Sequence, residues 1–201
     1  MIHQGPPIVY HCTNGMEFAV GENDAQVGGG YRNEILIRNP PPFGVTRIYR
    51  PSMCVPPHWI EDSQACIVAQ WHSSDAEAVG MPPPLAFEIR DGNWRIVSRW
   101  DDQKISTISP DSDGRKTLLW TAPFVRGQWE DFSVSVRWGW MPAGHPETGW
   151  IEVSKNGEVL FQRFGPNCYN DDKAPYYKFG IYVFKWGLIA KFRSIFHRII
   201  S

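Results

Sequence analysis

The sequence predicts an all-β fold, a jelly-roll sandwich of two antiparallel sheets. Short segments rich in β-branched and aromatic residues recur along the 201 residues, and clusters of Gly, Pro, Asn and Asp separate them. Segment 131–138 alternates between apolar and polar residues, which is the period of a strand with one face against a core. No repeat or linker interrupts this pattern, so we expect one domain over residues 1–201.

Eleven segments carry the strand pattern, each bounded by turn or loop residues. In chain order they are residues 32–38, 46–51, 65–72, 85–90, 94–100, 116–121, 131–138, 149–154, 158–163, 176–184 and 192–200. The first follows Gly28-Gly29-Gly30, which we interpret as a flexible turn rather than a phosphate-binding loop, since no helix follows it. Proline runs at 40–42, 56–57 and 82–84 separate the early segments, because proline cannot donate to a sheet ladder.

Two glycine-containing turns indicate hairpins among the later segments. Asn156-Gly157 joins the eighth segment to the ninth, and both residue types tolerate the positive φ of a tight turn. Asp91-Gly92 joins the fourth segment to the fifth in the same way.

The C-terminal segment 191–200 fits two structures. As a helix it would be cationic and amphipathic, which would suggest a membrane surface. As a strand it would be a late edge or closing strand with β-branched and aromatic residues. We favour the strand because every earlier element is β.

Composition narrows the function. The 20 basic and 21 acidic residues nearly cancel, which argues against nucleic acid or a membrane surface as partner. No run approaches the ~18 apolar residues of a membrane span, and the first residues show no signal-peptide pattern. Ten tryptophans tilt the balance toward a carbohydrate ligand, since flat indole faces suit sugar rings as well as cores.

The four cysteines, at positions 12, 54, 66 and 168, contain no CxxC pair. A zinc site is therefore not expected, and the remaining histidines show no ligand spacing either. Four cysteines allow three disulfide pairings, and the sequence does not choose among them. Cys66 lies in an apolar run, so we expect a buried thiol there.

Two predicted strands place polar groups on one face. Residues of like parity share a face of a strand, so Gln70 and His72 lie together, as do Tyr176, Lys178 and Tyr182. The intervening apolar residues are expected to face a core: Ile67, Ala69, Trp71, Phe179, Ile181 and Val183. An apolar inner row with polar groups outside is how a sheet builds a working groove, so an enzyme is our leading hypothesis.

Three motifs, in the expected order, resemble those of the β-jelly-roll polysaccharide lyases, the group of heparin lyase I, glucuronan lyase and the jelly-roll alginate lyases. The stretch Arg32-Asn33-Glu34-Ile35-Leu36-Ile37-Arg38 resembles the R-[ST]-E-L-R strand, Gln70-Trp71-His72 the Q-x-H strand, and residues 176–182 the Y-[FY]-K-x-G-x-Y strand. The resemblance covers residues 31–186. It implies a concanavalin-like sandwich with one concave sheet as substrate groove, no cofactor, and a secreted or periplasmic enzyme. Leu36 departs from the motif, whose second arginine would stand there; Arg38 is one step further along the same face.

The resemblance implies β-elimination on a uronic-acid polymer. A base removes the C5 proton, and the C4–O bond breaks to leave an unsaturated sugar. Tyr182 is expected to transfer the proton, with His72 as base when proton and leaving group lie on opposite ring faces. Gln70 and Arg32 can bind the carboxylate, since an amide and a guanidinium both donate to carboxylate oxygens.

Four further residues are predicted to bind substrate: Lys178, Glu34, Arg38 and Tyr176. Glu34 stands between two arginines and is expected to orient them as an ion-pair partner. Six cations could make the groove positive although the protein is near neutral: Arg32, Arg38, Arg47, Arg50, Lys178 and Lys185. We therefore expect an anionic polysaccharide as partner. We also expect the protein to be a monomer.

Two other functions fit an all-β sandwich. A lectin-like jelly roll would bind acidic glycans without cleaving them, and the fold alone does not separate this from a lyase. A glycoside hydrolase would need two carboxylates flanking the scissile bond, and the chain lacks adjacent same-face acids of the E-x-D-x-x-E kind.

Overall fold

The described secondary structure consists of β-strands. The computed structural model describes residues 12–74, 80–104, 106, 111 and 114–199. The strands are β1 (Met16–Gly21), β2 (Tyr31–Ile37), β3 (Thr46–Tyr49), β4 (Pro51–Cys54), β5 (Cys66–His72), β6 (Leu85–Arg90), β7 (Asn93–Arg99), β8 (Asp101–Lys104), β9 (Lys116–Pro123), β10 (Trp129–Arg137), β11 (Trp150–Lys155), β12 (Glu158–Phe164), β13 (Tyr169–Asn170), β14 (Tyr176–Val183) and β15 (Phe192–Ile199).

Two large antiparallel sheets form the sandwich. One runs β1-β15-β4-β10-β11-β12, with β3 also paired to β10, and the other runs β2-β14-β5-β6-β7-β9. β8 and β13 form a small parallel pair beside them. The two-sheet all-β prediction is confirmed, and the crossovers between distant strands are those expected of a jelly roll.

The core lies between the two sheets. β10 buries Phe132, Val134 and Val136 as its alternation predicted. Trp71 and Trp94, on the facing sheet, are also fully buried, and Trp71 contacts rings from both sheets. These tryptophans fill the interior, so they do not carry the carbohydrate-binding argument made from composition.

Every predicted strand segment contains an observed strand. Segment 46–51 divides at Arg50 into β3 and β4, which occupy different positions against β10. Three short strands lie outside every predicted segment: β1, β8 and β13. The C-terminal segment is the strand β15, so the strand prediction for it is confirmed. It is paired on both sides, with β1 and β4, and is therefore not an edge strand.

Both predicted hairpin turns have the expected backbone. Asn156 and Gly157 have φ of 49° and 86° between β11 and β12, and Asp91 and Gly92 have φ of 49° and 74° between β6 and β7. These positive angles are why Asn-Gly and Asp-Gly stand there.

One disulfide joins Cys12 to Cys54, at the end of β4. Cys66 and Cys168 are free and buried, and burial raises the pKa of the Cys66 thiol to about 12. The expected buried thiol at Cys66 is confirmed.

Within the part of the chain that the structure describes, no helix has the length and apolar character that crossing a membrane requires. In the same residues, no three His, Cys, Asp or Glu side chains are grouped so as to hold a metal ion.

Candidate active site

The six-stranded sheet carries a groove of about 1160 Å³. The predicted site residues lie on or beside three neighbouring strands of this sheet, β2, β14 and β5, with β14 in the middle. Antiparallel register places Lys178 beside Gln70 on β5 and beside Leu36 on β2. Tyr182, four residues further along β14, lies beside Arg32. Three separate stretches of the sequence therefore meet on one face of the sheet.

Seven of the eight predicted site residues line this groove: Arg32, Arg38, Gln70, His72, Tyr176, Lys178 and Tyr182. Glu34 does not, and only 7% of its side chain is exposed. The structure thus places Glu34 beneath the groove surface, in contact with residues that line it.

Glu34 connects two of the groove residues. Its carboxylate accepts a hydrogen bond from Gln70 Nε2, and its Oε2 lies 3.7 Å from Arg32 Nη1. Burial raises the pKa of Glu34, while the Gln70 bond and the charges of Lys178 and Arg32 act to lower it. Because Gln70 donates to Glu34 through one amide hydrogen, the second hydrogen of that nitrogen remains to donate elsewhere.

The ring of Tyr182 lies between the Arg32 guanidinium and Gly30. The Arg32 guanidinium carbon lies 4.4 Å from the centre of the Tyr182 ring. Arg32 Nη2 also donates to the Gly28 carbonyl at 3.0 Å, which fixes the arginine over the ring. Burial raises the pKa of Tyr182, against the opposing effect of the Arg32 charge. The phenol is therefore protonated near neutral pH and is a hydrogen-bond and proton donor.

His72 has a defined tautomer. Its Nδ1 lies 3.2 Å from the Ser73 carbonyl, which can only accept, so Nδ1 carries the hydrogen and Nε2 is the acceptor. Burial, followed by the charge of Lys178, lowers the pKa of His72 to about 4. The imidazole is therefore neutral near pH 7. Arg32 acts on the pKa values of both His72 and Tyr182, so its charge reaches both groups.

Tyr176 and Lys178 continue the groove beside His72. The Tyr176 and His72 ring centres lie 5.7 Å apart, and Lys178 Nζ lies 5.5 Å from the Tyr176 ring centre. Burial lowers the pKa of Lys178, which the nearby Glu34 counteracts. Arg38 lies just beyond the end of β2, and its charge acts on Tyr176.

The alternation of side chains along β5 is interrupted once. The ladder with β6 shifts register between Ile67 and Ala69, so Val68 is the extra residue of a β-bulge. Val68 and Ala69 both pack in the core, whereas Ile67 lines the groove with Gln70. The prediction that Ile67 faces the core was wrong, because one extra residue reverses a pattern of period two.

The positive charge of the groove comes partly from residues that the sequence analysis did not select. Arg47, Arg50 and Lys185 do not line it, and Arg47 lies on β3 of the other sheet. Five other cations do: Arg90, Arg95, Arg99, Lys116 and Lys173. The sequence did contain a signal for Arg90: in segment 85–90 the odd positions are apolar, so the even positions, Arg90 among them, face the other side of the strand. Leu36 lines the groove where the second arginine of the resembled motif would stand.

A family model described as "Polysaccharide lyase" matches residues 2–200. No curated protein matches the sequence. Among solved structures, an endo-β-1,4-glucuronan lyase from the fungus Trichoderma reesei is similar with a TM-score of 0.67 and 15% identity, over 90% of this chain and 77% of that one.

Two alginate lyases are also similar in fold. Alginate lyase A1-II′, solved with substrate in a variant that replaces one histidine and one tyrosine, has a TM-score of 0.62 and 13% identity, covering 93% of this chain and 76% of its own. An alginate lyase from Pseudomonas aeruginosa has a TM-score of 0.57 and 17% identity, over 96% and 86% of the two chains. These likenesses show the jelly-roll fold, and the family model, which spans nearly the whole sequence, shows that the chain belongs to the polysaccharide lyase family.

Proposed function

We propose that this lyase cleaves a uronic-acid-containing polymer by β-elimination, with Tyr182 as the proton-transferring residue. The observation that carries the proposal is the meeting of Tyr182, His72, Gln70 and Arg32 in one groove. Their protonation states suit the reaction, since a neutral imidazole and a protonated phenol supply one proton acceptor and one donor.

The carboxylate of the sugar is the first problem that the site has to solve. The C5 proton is barely acidic while the neighbouring carboxylate is charged, so that charge must be neutralised as the enolate-like intermediate develops. Gln70 and Arg32 are the proposed donors. Glu34 orients both, because it accepts from Gln70 and pairs with Arg32.

Proton transfer completes the reaction. The C5–H bond and the C4–O bond break, the C4=C5 double bond forms, and the leaving oxygen takes a proton. Where the two bonds lie on opposite ring faces, His72 Nε2 accepts the C5 proton and Tyr182 donates to O4. Where they lie on one face, Tyr182 serves both transfers: its ionised form accepts the C5 proton and then donates a proton to O4. The Arg32 charge favours that ionised form, against the burial that raises the pKa of the phenol. Lys178 is assigned to a neighbouring sugar or the leaving group, and Tyr176 and Arg38 to substrate binding.

An anionic polymer is the proposed substrate and partner. The similar structures are enzymes of glucuronan and alginate, by their names. The groove is lined by cations along its length, from Arg38 and Lys173 to Arg90 and Arg95. Such a groove concentrates a polyanion although the net charge of the chain is −1.

A secreted or periplasmic location is the proposed setting. The Cys12–Cys54 disulfide supports it, because disulfides persist in oxidising compartments and are rare in the cytosol.

The decisive experiment follows the absorbance of unsaturated uronides while the protein is incubated with glucuronan, alginate and heparin. We expect the wild type to generate this signal on at least one of them. Tyr182→Phe should remove turnover and keep polymer affinity in calorimetry. Tyr31→Phe is the control, since Tyr31 lies at the start of β2 and does not line the groove. Polymer affinity without any unsaturated product would instead identify a lectin-like binder.

A further inference from the structure

An exposed aromatic ring stands at the end of the groove beyond Tyr182. Phe184 follows the last residue of β14 and has the same parity as Lys178 and Tyr182. It lines the groove, and 67% of its surface is exposed. Phe184 is about 7 Å from Tyr182 along the chain at ~3.3 Å per residue, which is close to the length of one sugar unit.

The positions on either side of Phe184 are small. Val183 pairs with Tyr31 on β2 and with Cys66 on β5. The next positions across the sheet are therefore Gly30 and Ala65, which flank Phe184 on its two sides. Ala65 lines the groove too. On the β5 side, Ala65 leaves space beside the phenyl ring, which an apolar face of a pyranose could fill. On the β2 side, the ring of Tyr182 occupies the space at Gly30.

A cation follows in the same row. Cys66 pairs with Ile89 on β6, so the position after Ala65 across the sheet is Arg90. Strands are about 4.8 Å apart, which puts the backbones of Phe184 and Arg90 about 10 Å from each other with only Ala65 between them. Arg90 lines the groove, with 44% of its side chain exposed.

The Arg90 guanidinium is available to a ligand. Its Nε lies 3.3 Å from Asp91 Oδ2, and the Asp91 side chain is 60% exposed. A surface pair of this kind contributes little to stability and is readily exchanged. A guanidinium can bind a carboxylate through two parallel N–H groups, which would be a stronger interaction than the Asp91 contact.

We propose that Phe184, Ala65 and Arg90 form a subsite for one uronate unit beside the cleaved bond. The pyranose ring packs on Phe184 above Ala65, and its carboxylate binds Arg90. This subsite rests on the proposed function and deepens it, because it requires a second acidic sugar next to the reacting one. A polymer of consecutive uronates satisfies this requirement.

The chain offers a matched control for each half of the subsite. Leu188 is 98% exposed and belongs to the same segment after β14, but it does not line the groove. Arg126 pairs with Glu61, and its side chain is 41% exposed, close to Arg90, yet it also lies outside the groove. Leu188→Ala and Arg126→Ala therefore remove a similar exposed group without touching the subsite.

The test measures kcat/KM on glucuronan and alginate and on their oligomers of increasing length. We expect Phe184→Ala and Arg90→Ala each to lower kcat/KM about three- to tenfold on polymer and on long oligomers. Oligomers too short to span both sites should show no loss. Phe184→Tyr, which keeps the ring, should lose less than Phe184→Ala, and both controls should match the wild type.

The outcomes separate the subsite from the proposed function. If the wild type releases unsaturated products while both variants match it at every length, the subsite is wrong and the lyase assignment stands. A wild type that cleaves none of the polymers would refute the function. Calorimetry with the same polymers would then test the subsite: weaker binding by the two variants would support it, and unchanged binding would refute it. The subsite would also be refuted if Leu188→Ala and Phe184→Ala lost kcat/KM equally, or if Phe184→Ala alone changed the oligomeric state.

Discussion

A methyl group added to Gly30 would lie 2.5 Å from Cε2 of Tyr182 and 2.9 Å from its phenolic oxygen. The ring of Tyr182 therefore occupies space that only glycine leaves free. We predict that Gly30→Ala displaces the phenol and lowers kcat at least tenfold, since a small misplacement of a reacting group is costly. Steady-state kinetics with thermal unfolding on the same sample will test this.

Gly21→Ala is the control for that substitution. Gly21 also lies at a strand end, but the nearest atoms to an added methyl group are 3.9 Å away. It should leave kcat unchanged. An unchanged kcat in Gly30→Ala would show that the phenol can move without loss, or that Tyr182 is not the proton-transferring residue.

Glu34→Gln tests the role of the buried carboxylate. The substitution keeps the shape but removes the charge that accepts from Gln70 and pairs with Arg32. We expect kcat/KM to fall tenfold or more, because hydrogen bonds to a charged partner contribute about 1.5–3 kcal/mol. Glu152→Gln is the matched control, since Glu152 accepts from Gln162 in the same way on the other sheet. Equal activity in both variants would contradict an orienting role.

The pH dependence of activity follows from His72. Its pKa is lowered to about 4, so the imidazole stays neutral well below its ordinary value near 6.5. On a substrate for which His72 is the base, the acid limb of kcat/KM should lie near pH 4, since this profile reports the free enzyme. A pH series on the cleaved polymer measures it. An acid limb near pH 6.5 would show that His72 is solvated or paired differently.

His197 should make the fold sensitive to acid. It is buried between Phe18 and Phe179, and burial lowers its pKa to about 4, while the unfolded value is near 6.5. Between these values the unfolded chain binds the extra proton, so the free energy of unfolding falls as the pH falls from about 6.5 toward 4. The loss from this group at about pH 5 is about 2 kcal/mol.

Denaturant unfolding at about pH 7 and about pH 5 compares the wild type with His197→Gln. The variant should start less stable, because it loses the contact to the Gly180 carbonyl, but it should lose less stability on acidification. Parallel pH slopes in the two proteins would refute the assignment to His197.

The Cys12–Cys54 disulfide closes a loop with a sequence separation of 42. The loop-closure model gives about 4 kcal/mol for a crosslink of this span. We expect the free energy of unfolding of the double variant Cys12→Ser, Cys54→Ser to be lower by that order, measured as a lower midpoint of denaturant unfolding. In the oxidised wild type, Cys66 and Cys168 should not react with a thiol reagent until the fold opens, because both are buried.

Which side chains of β5 and β14 share the groove face could be anticipated from like-parity motifs, because parity depends only on local chain geometry. The Val68 bulge could not, since an extra residue is defined by its partner strand and leaves no mark in the alternation before it. β8 and β13 are only four and two residues long and lack an apolar row, so their pairing depends on tertiary contacts.

Some features of the site could not be predicted, because they depend on which strands lie next to one another in the sheet. Glu34 was assigned an orienting role from its arginine neighbours, but its partner Gln70 lies on a strand two positions away in the sheet. The choice of Cys54 as the partner of Cys12, and the row of Phe184 with Arg90, require the register of strands that are distant in sequence.

The extra residue at Val68 restricts how β5 can change in length. Deleting it would restore a regular ladder with β6 and would turn no side chain over, because Cys66 and Ala69 would still face the core and Ile67 and Gln70 the groove. A single deletion at Val68 or Ala69 should therefore keep every face of β5, whereas a single deletion elsewhere in the strand would turn one flank over. A homologue without the bulge would show unbroken alternation up to its Gln-x-His stretch.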